Sequence, residues 1–433
     1  MKKYQAVPYR LYEDSEGETV HFNEETLSLT ILPLTYVGVL RTFSQRRSIE
    51  ETVELFSPEQ NTREIIHELI ELGILSETFS LPLLQETVLR PHVQAFRIVL
   101  TEKCNLRCAE CFVTKNAGEL RTMSPETLER IIRETIPYGL HQKIVYHFFG
   151  GEPLLRFDYI TRAIVLVEEA IATGKMQRPV YTITTNATLV SEEIIAFFKK
   201  HRFKVGVSID GPQDINDKLR VYGSGAGTYQ DVKQNYTRLV EAGIDCHILI
   251  TPHPRFLDRL PDIFRSVLET FPMETVTVNT PLHFDTVQWT APGKEYAKTL
   301  IKLHRIAKEF GVHVDSAASP PLAALAGNIR REGPCALICD TVMASVGPDG
   351  SMSFCSQKWH PFLTVPSVGD KKLQTPLRRA TDCVTCEARG VCGGPCPAFQ
   401  RISGNMLDGN KCDFMHTLLS EAVRNLDLFE EGQ

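Results

Sequence analysis

The sequence has no run of eighteen apolar residues, so nothing in it reads as a membrane-spanning helix. Its first ten residues, MKKYQAVPYR, carry two lysines with no apolar stretch behind them, which excludes a secretory signal reading. Positive charge is not in excess either. Lys and Arg total 47 against 53 Asp and Glu, a net charge of -6, so there is no general pull towards nucleic acid or an anionic membrane. Hydrophobic residues at 42% and charged residues at 23% exclude a disordered or fibrous chain. What remains is a globular, cytoplasmic protein, and 433 residues predict more than one domain.

Against that background the twelve cysteines stand out. Disulfides are rare in a reducing cytosol, and a chain of this length buries a core without covalent staples. Cysteines that cluster in such a chain point to metal ligation. Cys104, Cys108 and Cys111 form one group, and Cys335, Cys339, Cys355, Cys383, Cys386, Cys392, Cys396 and Cys412 form the other. Cys246 stands apart and reads as a small buried thiol, the sharper alternative being a hydrogen-atom donor to a substrate radical.

Residues 1–88 lack cysteine and form a unit of their own. A hairpin is expected over Val20 to Leu32, then short helices. Ser48-Ile-Glu-Glu51 is a capping box, and Ile65, Ile66, Leu69 and Leu72 recur at helical spacing before Gly73. These pieces fit a winged-helix-like unit that binds nucleic acid or peptide, and the missing basic stripe counts against DNA. From Val93 onward, apolar runs at 96–101, 144–149, 181–186, 205–210, 246–251 and 275–279 alternate with helical patterns. Six such units without hairpin signals predict an α/β fold with parallel strands, a partial (β/α)6 TIM-like barrel over residues 93–310. Its active site is expected at the C-terminal strand ends. Residues 311–433 are Cys-rich and poor in regular pattern, so bound metal is expected to organise them.

Cys104-Asn-Leu-Arg-Cys108-Ala-Glu-Cys111 directly follows the first barrel strand. Three closely spaced thiolates supply three ligands for a four-iron cubane and leave one iron open, whereas a structural zinc site is closed by four. Further motifs end successive strands: Phe148-Phe-Gly150-Gly151-Glu152-Pro153, Thr184-Thr185-Asn186, and Ser208-Ile-Asp210-Gly-Pro212 with Arg220 beyond. Taken together and in order, these motifs resemble the radical S-adenosylmethionine (SAM) superfamily. The resemblance implies that the open iron chelates SAM and that one-electron reduction yields a 5′-deoxyadenosyl radical. It implies that Gly150, Gly151 and Glu152 hold the methionine ammonium, Ser208 and Asp210 lie near the ribose, and Arg220 meets the carboxylate, with Thr185 and Asn186 also at the cofactor. Two positions depart from the pattern. Glu110, not an aromatic residue, precedes the third cysteine and Phe112 follows it, and Ala187 stands where a glycine is usual.

The later cysteines resemble the SPASM extension of peptide- and protein-modifying radical enzymes. The resemblance implies one auxiliary 4Fe-4S cluster on Cys335, Cys339, Cys355 and Cys396 and a second on Cys383, Cys386, Cys392 and Cys412, three clusters in all. Zinc knuckles are the alternative. If Cys335 does not ligate, an open iron could instead hold a substrate thiolate.

The front unit resembles the peptide-recognition element of ribosomal-peptide maturases such as sactipeptide and ranthipeptide thioether synthases. The expected function is therefore an oxidoreductase that forms a thioether in a precursor peptide. Its leader would add to the edge of the small sheet, and the auxiliary clusters would take up the surplus electron. A flavodoxin or ferredoxin is the expected electron donor, with no nucleic acid and no membrane as partner. Carbon–carbon crosslinking is an alternative. An anaerobic sulfatase-maturing enzyme stands further back, because Ser356 replaces the aspartate that family places after the cysteine equivalent to Cys355. An iron–sulfur regulator acting on DNA is the non-enzymatic reading.

Overall fold

The computed structural model describes residues 2–57, 60–78, 93–109, 111, 113, 119–282, 288–329, 331, 342–353, 364–365, 383, 386–396, 399–400, 403–405 and 407–426. The chain begins with β1 (Lys3–Ala6), β2 (Tyr9–Glu13), β3 (Thr19–Asn23) and β4 (Leu29–Ile31). Then come α1 (Leu34–Thr42), β5 (Arg47–Ser48), α2 (Ile49–Val53), α3 (Thr62–Glu71) and β6 (Leu75–Ser76). The strands make two antiparallel sheets, β5-β1-β6 and β2-β3-β4. The Ser48 capping box forms in full: its hydroxyl accepts from Glu51 N, and Glu51 accepts from Ser48 N at 2.8 Å.

The β2-β3-β4 sheet has two committed faces. Arg10 pairs with Phe22 and Tyr12 with Val20, while Tyr9 pairs with Asn23 and Leu11 with His21. The strand period of two sends these sets to opposite sides. Val20 and Phe22, with Tyr12 and Leu29 alongside, join the main core together with Val391, Leu418 and Leu419. Tyr9 and Leu11 pack instead on a smaller core of Val37, Leu40, Ile65, Ile66 and Leu69 from α1 and α3. His21, fully buried, stacks on Tyr9, and burial pushes its pKa down to about 4. The sheet is thus a shared layer between the front helices and the C-terminal segment.

The barrel comprises β7 (Val93–Thr101), α4 (Pro125–Thr135), β8 (Val145–Gly150), α5 (Phe157–Ala172), β9 (Val180–Thr185), α6 (Glu192–His201) and β10 (Lys204–Ser208). It continues through α7 (Gln213–Leu219), α8 (Tyr229–Glu241), β11 (Asp245–Ile250), α9 (Leu260–Thr270), β12 (Thr275–Val278), α10 (Gly293–Phe310) and β13 (His313–Ser316). After α11 (Ser319–Ala326) come β14 (Val342–Val346), β15 (Met352–Ser353), β16 (Thr364–Val365), α12 (Arg389–Cys392) and α13 (Gly409–Arg424). Helix starts follow their caps: Ser124 accepts from Thr127 N ahead of Pro125, and Ser191 accepts from Ile194 N.

Strands β7 to β13 lie side by side in chain order, all parallel, in a ten-stranded sheet. The six expected strands are present, and the sheet runs on beyond residue 310. Strand β13 adds to β12, and β14 adds in parallel to β7 on the other side, followed by antiparallel β15 and β16. The curled sheet is therefore a partial barrel with β13 at one edge.

Candidate active site and cluster-binding cysteines

A cavity of about 890 Å³ opens at the C-terminal ends of the barrel strands. Cys104, Cys108 and Cys111 line it together with Gly150, Gly151, Thr185, Asn186, Ser208, Asp210 and Arg220. Residues from four motifs that together span over a hundred positions thus share one space. Glu152 is not among the lining residues; it stands behind them.

The cysteine loop is tied at both ends by backbone. Gly151 N donates to Thr101 O at 2.8 Å, and Glu152 N to Lys103 O at 3.0 Å. A Cβ on Gly150 would fall 2.1 Å from Thr101 O, and one on Gly151 2.3 Å from Lys103 O. Only glycine lets the end of β8 approach the residues that launch the loop. Further along, Arg107 N donates to Val221 O and Ala109 N to Leu219 O, and Leu106 bridges to Tyr222.

Glu152 is fully buried. One carboxylate oxygen accepts from Leu154 N and Thr185 Oγ1, and the other accepts from Asn186 N at 2.8 Å. Burial raises its pKa to about 7 despite those three donors. It braces the end of β9, where Asn186 Nδ2 points to Asn105 Oδ1 at 3.0 Å and Cys104 Sγ at 3.7 Å. Ala187 follows with φ +57, the left-handed region that favours glycine. It is held there by Thr185 Oγ1 on its amide and Asn235 Nδ2 on its carbonyl.

Asp210 and Arg220 form a two-pronged ion pair at 2.7 and 3.1 Å, with side chains 7% and 16% exposed. Thr251 N also donates to Asp210 at 2.9 Å. Burial works against the Arg220 charge, but Asp210 and the Cys108 and Cys111 sulfurs outweigh it and raise the guanidinium pKa. A permanent cation therefore sits beside the cysteine loop.

Those cysteines suit a soft-metal cluster. Leu106 N donates to Cys104 Sγ at 3.4 Å. Burial and the neighbouring Glu152 and thiols push Cys104 up to about 12, and burial also raises Cys108. Even with Arg220 nearby, these thiols stay protonated until a metal displaces the proton, so the loop suits ligands that a metal deprotonates. Among the described residues no three His, Cys, Asp or Glu side chains close round a single ion. All three thiols line the cavity, a ligand number that suits a four-iron cubane with one open iron.

The cavity also carries residues that sequence reasoning missed. Arg97, Phe149, Asn279, Trp289 and Asp315 line it, with Arg97 over the Phe149 ring at 4.7 Å. Asp315 is on β13, exposed to the cavity, and burial raises its pKa against the opposing pull of His313 and His247. Alternation along the strands was the available signal: inward positions such as Arg97, His147 and Asp315 are polar where a closed barrel would be apolar. His147 is hydrogen-bonded at both ring nitrogens, to Thr182 and Thr184. Cys246 is buried on the face of β11 opposite Leu249, which lines the cavity, so its thiol belongs to the core and not to the site.

In the C-terminal segment, Cys383, Cys386, Cys392, Cys396 and Cys412 surround a second, small cavity, with His416 at its rim. Cys396, which the resemblance gives to a separate cluster, is at this same cavity. Burial and the Cys392, Cys383 and Cys386 sulfurs push Cys412 up to about 11. Five converging thiols are a donor set that fits an iron–sulfur cluster. Cys335, Cys339 and Cys355 lie outside the described residues, as do Glu110, Phe112 and Ser356. No helix among the described residues is long and apolar enough to cross a membrane.

Comparison with known proteins agrees with this geometry. Residues 98–267 match the Radical SAM superfamily. The serine-type anaerobic sulfatase-maturating enzyme of Bacteroides thetaiotaomicron is 31% identical over 147 residues, 33% of this chain and 35% of that protein. The corresponding enzyme of Klebsiella aerogenes is 23% identical over 70% of this chain and 79% of its own length. The alignments with the first two curated relatives span 35% and 46% of those proteins. Among solved structures, anSMEcpe with bound AdoMet has a TM-score of 0.65 at 19% identity, covering 78% of this chain and 100% of that one. SuiB from Streptococcus suis, bound to precursor peptide SuiA, has a TM-score of 0.53 at 15% identity, covering 94% and 99%.

Proposed function

Because the chain carries a radical SAM domain, we propose that it is a maturase that forms a thioether in a ribosomally made precursor peptide. The observation that carries this reading is the joint lining of one cavity by the three-cysteine loop, the Gly150-Gly151 strand end and the Asp210–Arg220 pair. Cys104, Cys108 and Cys111 would hold a 4Fe-4S cluster, which would supply the one-electron reduction of bound SAM that hydrogen abstraction from substrate requires.

The chain's own residues prepare that event. Glu152 fixes Thr185 and Asn186 from behind, so these two, with Gly150, Gly151, Ser208, Asp210 and Arg220, present a rigid polar wall to the cofactor. Arg220 is placed for a carboxylate, its charge secured by Asp210. Phe149, Leu249 and Trp289 supply apolar surface in the remaining space, which keeps water from a radical. Residues 1–88 act as a winged-helix-like recognition element for the leader, 93–310 as the barrel, and 311–433 as a SPASM domain whose two auxiliary clusters would take up the surplus electron, while a flavodoxin- or ferredoxin-type partner serves as the external electron donor. A precursor-bound neighbour whose likeness extends over nearly all of this chain supports the peptide substrate.

The test is co-expression of the full chain with a short cysteine-containing open reading frame beside its gene, followed by mass spectrometry. A peptide lighter by two hydrogens, with one thiol lost to alkylation, is the expected product. Formylglycine formation is the second reading, favoured by the sulfatase-maturating relatives. A product that reacts with a hydrazide probe would establish it in place of the first.

A further inference from the structure

The front sheet grips the loop between two of the C-terminal cysteines. Glu387 directly follows Cys386. It pairs with Arg10 at 3.0 Å and accepts from Tyr12 OH at 3.4 Å, both from β2. Arg389, two residues on and with a side chain only 7% exposed, pairs with Glu25 in the turn after β3. Between these ion pairs, Leu27 packs so closely that a Cβ on Gly390 would lie 2.5 Å from its side chain. Leu27 is fully buried and has φ +62, a conformation that a branched apolar residue adopts only where its surroundings require it. The loop offers an anion and a cation, the sheet offers the opposite charges, and an apolar residue fills the gap between them.

The grip extends to sulfur. His416 on α13 has Nδ1 2.8 Å from Glu387 and Nε2 3.6 Å from Cys386 Sγ. Its ring therefore bridges the clamped carboxylate and a cysteine at the second cavity.

We propose that Arg10 and Glu25 are positioning residues for the second auxiliary cluster, acting through Glu387, Arg389 and His416 on the Cys386–Cys392 loop. This rests on the reading that Cys383, Cys386, Cys392 and Cys412 hold that cluster. Cluster potentials follow net charge and hydrogen bonds at sulfur, and partners beyond the ligands hold ligands in place. The front unit thus sets the redox poise of a cluster whose ligands lie over 350 residues away in the chain. Anything that shifts β2, a leader peptide included, reaches Cys386 through one carboxylate and one imidazole.

The experiment uses the full-length chain reconstituted with iron and sulfide, titrated with dithionite under EPR and challenged with EDTA. Wild-type iron content tests the underlying reading: about four irons instead of about twelve would remove the auxiliary clusters and the inference with them. Arg10→Ala and His416→Phe should each move one auxiliary potential to more negative values. Each should also speed loss of its iron by about 10- to 100-fold, the usual cost of removing such a partner. The Cys104/Cys108/Cys111 cluster serves as internal control, and Arg10→Lys should restore the wild-type potential. Should Arg10→Ala fail to fold, His416→Gln and the charge-removing Arg10→Gln carry the same comparison. A folded Arg10→Ala/Glu25→Ala variant with wild-type potentials and wild-type iron loss would overturn the proposal.

Discussion

The two cysteine regions are built on different principles. The loop of Cys104, Cys108 and Cys111 hangs from a barrel whose strands and helices are fully packed, and backbone bonds to Thr101, Lys103, Leu219 and Val221 surround it. Among the described residues, the region around Cys383 to Cys412 has only short helical pieces between its cysteines, α12 and residues 399–400 and 403, and takes its support from α13 and the front sheet. In the first a packed core positions the cysteines. In the second docking does so, with ligation sharing the task on the proposed reading.

Removing iron should break the comparison open most widely. Chelation is expected to speed proteolytic cleavage between residues 383 and 412 by about tenfold or more, while the barrel strands keep their protection. Limited proteolysis with mass mapping checks this, and equal protection of both regions would erase the distinction. A substitution at the barrel's tether should follow. Gly151→Ala places a methyl 2.3 Å from Lys103 O, so it should cost about 2–3 kcal/mol and detach the first loop. Thermal unfolding and iron counting would register this as loss of about four irons from that loop alone.

The brace behind the site predicts a pH effect of similar or smaller size. Glu152 has a raised folded-state pKa, about 7 against 4.5 when unperturbed. Its contribution to stability is therefore whole below about pH 4.5 and lost as pH rises through about 7, on the order of 3 kcal/mol in all. Melting temperatures of wild type should fall across that window. Glu152→Gln should lack this dependence but lose about 1–3 kcal/mol throughout, because its amide cannot accept from all three donors. The smallest effect is expected at Ala187. Replacing it with glycine relieves the left-handed backbone, offset by lost burial and a freer unfolded chain, for a net gain below about 1 kcal/mol in denaturant titration.

The same contrast explains what could be read from sequence. Barrel strands were legible because each is an apolar run ending in a polar motif, and the cysteine groups because ligand spacing is local. Strand β13 was not, since His313-Val-Asp-Ser316 has a single apolar residue: one face meets the open cavity and tolerates charge. For the same reason Asp315 escaped notice as a cavity residue. The place of β14 beside β7 depends on a partner some 250 residues earlier, and local periodicity carries no trace of such pairing. Nor could any pattern join Tyr12 to Glu387, 375 positions apart. Glu152 shows the opposite limit: its motif was plain, while its position behind the cavity wall required coordinates.

The two-faced β2-β3-β4 sheet bears on the assembly of hybrid chains. On the proposed reading, exchanging the front unit to redirect the chain towards a foreign peptide would cut through an apolar seam of Val20, Phe22 and Leu27. The recipient would be left with an uncovered greasy patch and an Arg389 that has lost Glu25, an invitation to aggregate. A workable chimera would have to transplant the matching stretch around Glu387 to Val391 along with the donor's first strands, so that both halves of the seam share one parentage.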